Sequence, residues 1–445
     1  MEAMHADVRE TRARVVMHFP GLDPLELTDD DIVSIDILEE TQTDSKAPIG
    51  RVTSNECTLV LRNDNNKFTP TNDQSPLYGK ILPNVIFEVF LGVVTSDGVE
   101  YVPMGTFRTG DWVAPYGSIE ATVIGNDKIL QLSSKPIPSI PTMYDVTIAE
   151  IFKRLFEAVG LTESQYIVDE SLDGLVRVGW IPKGDFIDVV SELATAGNCS
   201  VYVNRLDQIV VKSNNVTSEP VDTFGDYDLI NDLANPQRIK DLYTGVSVAY
   251  YKPQWVNNVV LATISDVVID AHDTITLSNI EFNKEPVDNI HMINGEGMSG
   301  VDVRIENITA RSCDVILKNT TDSERRITFD IVGSGYQLNK LSETVYNEQA
   351  RDSWGNKLFE VDNKFIQSAE DAIKHANSIL ELVSDPYADF NIVGRGNLAI
   401  EVMDAIYINA ASQGIVNKRV VVLRNKISYD GALSIDMDCR TQTGG

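Results

Sequence analysis

The sequence predicts a mainly β protein that carries a smaller α/β insertion, and three observations point there. Residues 13–135 hold a succession of short runs in which apolar and polar residues alternate, with no helical period between them. From residue 144 the apolar spacing changes to that of two amphipathic helices. From residue 241 alternation returns and, apart from one long helix, continues to the end. Strand runs without intervening helices pair antiparallel, so the expected architecture is mainly β, with an antiparallel barrel or sandwich over 13–135 and a second all-β region after the α/β module.

After an N-terminal arm (1–12), the first all-β domain (13–135) reads "ARVVMHF", "DIVSIDILEE", "CTLVLRN", "NVIFEVFLGVV", "VEYVPMGTFRTGDW" and "SIEATVIGN". In the third run Cys57, Leu59 and Leu61 face one way and Thr58, Val60 and Arg62 the other, the period of a half-buried strand. That run then breaks into a long polar loop, 63–83, carrying Phe68, Pro70, Leu77 and Tyr78 as apolar anchors. The three prolines of "SSKPIPSIPTM" (133–143) remove backbone donors and mark a boundary.

A small α/β module is expected over 144–215. Thr147 and Glu150 form a capping box ahead of Ile151, Phe152, Leu155, Phe156 and Val159, and Gly160 stops that helix. A second helix starts near Asp185, buries Phe186, Val189, Val190 and Leu193, and ends at Gly197, before the hairpin "CSVYVNRLDQIVVKS". The second all-β region is expected from 216–284 together with 385–445, interrupted at 285–384 by a compact β module (about 285–340) and a long helix. In that helix Ala369, Ala372, Ile373, Ala376, Ile379, Leu380 and Val383 make one stripe, Pro386 ends it, and His375 falls on the polar side.

At 445 residues the chain exceeds one core, consistent with about three domains. Lys plus Arg total 37 against 66 Asp plus Glu, a formal net charge of −29 spread along the chain. Such a surface repels phosphates and anionic lipid, which disfavours gripping nucleic acid or docking on a membrane. The first fifteen residues lack an apolar signal core, so a cytoplasmic start is expected. The longest apolar run, "VIFEVFLGVV", is short for a membrane span and contains Glu88, so no membrane anchor is expected. Cys57, Cys199, Cys313 and Cys439 are far apart and read as core residues, and the sequons at Asn198, Asn215, Asn307 and Asn319 have no secretory context.

Catalytic patterns fail on their own spacing. "GMSGV" around Ser299 lacks the second glycine of a nucleophile elbow, and no glycine-rich phosphate loop is present. "NDNNKF" (63–68) begins like a calcium loop, but Ser75 stands where the closing Glu belongs counting from Asp64, so a solvated turn is expected. The histidines His5, His18, His272, His291 and His375 are scattered, so neither a metal nor a cofactor is expected. "TDDD" (28–31) could orient a carboxylate pair for glycoside cleavage, yet reads better as a turn before a strand. Trp112, Tyr116, Trp180, Tyr202, Tyr250, Tyr251 and Trp255 could line a sugar groove, but core packing is their default.

The stretch "SNECTLVLRNDNNKFTPTNDQSPLYGKILPNVIFEVFLGV", followed by "YVPMGTFRTGDW", resembles the tail hub or tail-tip baseplate proteins of bacteriophages and prophage-like particles. Phe68, Pro70, Ser75, Pro76, Tyr78 and Gly79 occupy that family's Phe-x-Pro and Ser-Pro-Tyr-Gly steps, and Gly105, Thr106, Phe107 and Trp112 its Gly-Thr-Phe strand. Residues 351–381 are similar to the family's long-helix segment, with Trp354 where Tyr is commoner, and 391–408 to its closing strands, with Met403-Asp404 where Gly-Asp is usual. The resemblance implies two tail-tube-like barrels, no enzymatic activity and no cofactor. It implies a homotrimer forming a pseudo-hexameric ring at the virion tail tip, assembled in the host cytoplasm, with tail tube, distal tail, baseplate and spike proteins as partners and DNA passing through the lumen unbound. It places Phe68, Pro70, Leu77, Tyr78 and Gly79 in a loop anchored on its own barrel or on a neighbouring subunit. The readings it competes with are a carbohydrate- or receptor-binding tail-tip module, for which 285–340 is the candidate, and a tail-associated cell-wall hydrolase.

Overall fold

The computed structural model describes residues 4, 6, 8–41, 49–231, 233–234, 242–385 and 389–441, without the side chains of Trp255 and residues 292–294. Pro386 and His5 lie outside the described residues. The protein is mainly β, with multiple antiparallel sheets.

The largest sheet has twelve strands and contains both regions expected to be separate barrels. From one edge the strands run Asp222–Gly225, Ala405–Asn409, Lys418–Tyr429, Ile32–Glu40, Glu56–Arg62, Glu120–Asn126, Gly98–Val113, Ile86–Thr95, Thr11–His18 and Leu25–Thr28. Leu433–Thr441 also pairs with Lys418–Tyr429, and Asp389–Gly394 pairs with Leu433–Thr441. The junction is antiparallel, with Arg424 opposite Glu40 and Ile427 opposite Ile37. One apolar core therefore runs from Val15, Leu59 and Phe87 through Ile37 and Ile427 to Ile392, Ile406 and Met437.

This corrects the expected second barrel of 216–284 plus 385–445. Gly245–Ile269 is a 25-residue strand that pairs antiparallel with Arg325–Tyr346 as a long ribbon in a different sheet. The 22-residue strand Arg325–Tyr346 comes nearest to it in length among the described residues. The far half of the ribbon, with Val287–Glu296 and the sheet of Thr274–Glu281, Ser312–Asn319 and Val301–Glu306, encloses a core of Ile269, Cys313, Val315, Leu317, Ile327, Phe329 and Ile331. The compact β module thus begins near residue 259, earlier than 285.

The α/β module has the expected elements. Ile148–Ala158 starts at a complete Thr147/Glu150 capping box, and Phe186–Gly197 follows Asp185 and ends on left-handed Asn198. Both helices pack on Cys199–Val203 and Ile209–Ser213 through Phe152, Phe156, Phe186, Val190 and Leu193. The long helix is Ala369–Val383, capped by Ser368. It buries the predicted stripe except Ile373, which is exposed, and Ala369, which is half-buried, and it also buries His375, which the periodicity placed on the polar side. The cause is a second covering: the helix packs on the ribbon and also on the end of Phe186–Gly197, where Ala196 lies against it and the Thr195 backbone hydrogen-bonds His375.

Candidate assembly surfaces

The 63–83 loop is ordered by local hydrogen bonds before any tertiary contact is counted. Backbone amides of Asn66, Thr69, Asn72, Ser75 and Tyr78 each donate to the carbonyl three residues earlier, at 2.9–3.2 Å, so the polar stretch is a chain of consecutive turns. Asn63, fully buried, accepts from the Phe68 amide at 2.9 Å and donates to Thr69 Oγ1 at 3.0 Å and to the Ser118 carbonyl at 3.2 Å. Asn and Ser side chains do the work a metal would do in a calcium loop, and among the described residues no cluster of three or more His, Cys, Asp or Glu is placed to hold a metal.

The predicted anchors divide by burial. Phe68 and Leu77 enter the main core, and Phe68 stacks on half-buried Trp112 with centroids 6.3 Å apart. Pro70, Tyr78 and Gly79 are exposed, Gly79 at a positive φ that suits a residue without Cβ. Tyr78, Leu82, Val113, Tyr116 and Ile119 are all exposed around this end of the sheet. The loop is thus anchored on its own barrel by two side chains and presents others outward.

Gly105 and Phe107 serve the wall itself. Gly105 has φ +135°, and a Cβ there would lie 2.8 Å from the Phe107 ring. The ring is 5.6 Å from that of Phe87, which packs over Gly125. The register shift between Val89 and Phe90 at this point leaves Met104 without an opposing residue, a bulge that bends the strand around the core. Met403, where the resemblance expects glycine, indeed has φ +66°.

The outward face of the joined sheet is polar. On the strands around the junction, Asp36, Glu40, Glu56, Asp436 and Asp438 stand at outward positions against Arg62, Arg424 and Lys426, an excess of acids. Arg424 reaches Asp438 at 3.4 Å and Asp436 at 3.7 Å, Lys426 reaches Asp36 at 3.7 Å, and Asn391 donates to Asp436 at 2.7 Å. Burial, with Glu56 nearby, raises the Glu40 pKa above the usual carboxylate range although Arg424 opposes it.

Sequence reasoning missed the clamp between the α/β module and the sheet. Arg205, in the turn of the 199–213 hairpin, is buried and donates to Glu39 at 2.5 and 2.9 Å and to the carbonyls of Leu398 and Ile400 at 2.6 and 2.7 Å. Burial by itself lowers the Arg205 pKa, but Glu39, with Glu401 and Asp404 beyond it, holds it above its ordinary value. Two residues along the same turn, Asp207 takes both arms of Arg108 at 3.0 Å and Lys128 at 3.4 Å. The signal was present: Glu39 and Asn425 occupy inward positions of otherwise apolar strands. "TDDD" is likewise structural, since Asp29 accepts from the Ala13 amide at 2.9 Å and the Tyr429 hydroxyl at 2.5 Å.

Solved structures of similar fold exist. A tail protein from Neisseria meningitidis MC58 superposes with a TM-score of 0.56 at 10% identity, covering 96% of this chain and 96% of that one. The 43 kDa tail protein of prophage MuSo2 from Shewanella oneidensis gives 0.54 at 9%, covering 96% and 98%. No family model and no curated protein matches the chain. At these identities the likeness is one of fold: the chain has the fold of these tail proteins along almost its whole length.

Proposed function

We propose that the protein is a structural hub of a phage or prophage-like tail, three copies of which form a pseudo-hexameric ring at the tail tip that joins the tube to the spike and lines the DNA channel. The observation that carries this reading is the single sheet in which Ile32–Glu40 pairs with Lys418–Tyr429, because it builds two strand groups into one wall with an apolar inner face and an acid-rich outer face. An acid-rich lumen does not hold DNA, since each Lys or Arg contact to phosphate would retain the strand through counterion release. The fold shared with tail proteins supports the same reading. Tail tube, distal tail, baseplate and spike proteins are the partners it implies, and the role is structural rather than catalytic. Among the described residues no helix is long and apolar enough to cross a membrane.

The test is light scattering on a sizing column with negative-stain imaging of the peak. The expected result is a species of three times the 49.2 kDa chain mass with a central hole. A monomer that stays monomeric when mixed with tube protein rejects the ring.

A further inference from the structure

A cleft of about 590 Å³ lies where the α/β module, the ribbon and the start of the long helix meet. That is within the usual size of small-molecule sites, roughly 300–1,000 Å³. Tyr144, Tyr250, Tyr336, Arg177, Lys252 and Gln367 are among its lining residues, and no carboxylate is. In a chain of net charge −29 this is an unusual concentration of cations without acids. Among the described residues the side chains of Arg177 and Lys252 have no ion-pair or hydrogen-bond partner, whereas Asp288, outside the lining, is engaged by the Tyr144 hydroxyl.

Tyr250 is 8% exposed, and its hydroxyl has no hydrogen-bond partner among the described residues. That hydroxyl is not among the buried unpartnered polar atoms, so it opens to solvent and can bond a ligand in the cleft. Gln367, almost fully buried, fixes the floor: its amide accepts from the Val178 N–H at 3.0 Å and donates to the Val178 carbonyl at 2.8 Å. That side chain caps the free edge of Leu175–Gly179, so an extended peptide has no strand edge to join there.

We propose that this cleft binds an acidic saccharide, with the exposed Tyr144 ring against the pyranose, the Tyr250 hydroxyl bonded to a sugar hydroxyl, and Arg177 and Lys252 reading a carboxylate or phosphate substituent. Aromatic faces with polar tips suit a ligand that is apolar on one face and hydroxylated at its rim, and guanidinium pairs with carboxylate or phosphate in a fixed geometry. The site differs from the 285–340 module that the sequence offered for carbohydrate, and it does not depend on ring assembly.

The test is isothermal titration of the full-length chain with an oligoglucuronate and with glucose 6-phosphate, which separate a carboxylate from a phosphate source. Controls are a neutral glucose oligomer, inorganic phosphate and a heptaglutamate peptide. Binding of either anionic sugar is expected, weakened about tenfold or more in the double variant Arg177→Gln/Lys252→Gln, whose exposed positions leave the fold intact. Tyr250→Phe is expected to weaken it severalfold with an unchanged melting temperature. The proposal is overturned if neither anionic sugar binds, if the neutral oligomer or inorganic phosphate binds equally well, if the double variant binds like the parent, or if heptaglutamate binds more tightly.

Discussion

Arg205 shows how one side chain can hold two modules in register. Its guanidinium leaves the α/β module, and its four hydrogen bonds all end on Glu39 and on the Leu398 and Ile400 carbonyls of the main sheet region. Removing one partner of a buried pair leaves the other charge uncompensated, so Arg205→Met is expected to destabilise by about 3–5 kcal/mol. Replacing Arg205 and Glu39 together by apolar residues should restore most of the loss; urea unfolding of both variants decides this, and equal losses would sink the pairing argument. His375 gives a pH signature. Burial holds its pKa down at about 4 from an ordinary 6.5, against a hydrogen bond to the Thr195 backbone that acts the other way. Between these values the unfolded chain binds a proton that the native state excludes, so stability from this residue is complete above pH 6.5 and is lost as pH falls towards 4. His375→Gln should flatten the dependence of the unfolding midpoint over that window; parallel curves for parent and variant would show that another group is responsible.

At the scale of elements, the 63–83 loop separates self-anchoring from display. Phe68→Ala removes a fully buried ring that stacks on Trp112, and should lower stability by about 3–5 kcal/mol. Tyr78→Ser, at an exposed position, should alter the stability of the isolated chain by no more than about 0.5 kcal/mol. Under the ring reading it should raise the concentration needed for trimer, which sedimentation at several loadings measures; a lower stability with unchanged assembly would assign Tyr78 to its own barrel. The pattern Phe-x-Pro followed by Ser-Pro-Leu-Tyr-Gly was legible as a motif, but alternation says nothing about which anchors turn inward in a segment built of turns. The three longer helices were legible to within a residue or so, because capping, stripe and stop signals agree locally, whereas the short Lys128–Leu132 and Glu348–Trp354 were not. His375 was not, because a second packed neighbour is invisible to the period of a single helix.

Over the whole molecule, under the proposed hub reading, the excess of acids on the outward face of the joined sheet makes a prediction about conduction. Asp436→Asn with Asp438→Asn leaves Arg424 on that face without its acidic partners. Particles carrying this double variant should eject DNA more slowly than the parent in a dye-based ejection assay, with the difference shrinking as salt rises. Equal rates at low salt would place that face away from the channel. The geometry of the 590 Å³ cleft belongs to this scale as well, since its lining comes from three parts of the chain that meet only in the fold.

Local chemistry determined much of this protein from the sequence alone. Alternation marked the strands of the first 126 residues, capping and stop signals the three longer helices, and the run from Phe68 to Trp112 carried the resemblance whose fold the comparison then matched. Each of those is written within a few tens of residues, where spacing maps directly onto structure. What only the tertiary structure decided is which strands meet. The pairing of Ile32–Glu40 with Lys418–Tyr429, the departure of 245–269 into a ribbon, and the Arg205–Glu39 clamp each join residues more than fifty positions apart. Strand partners are selected by length, register and a shared core, and none of these is a property of either strand by itself.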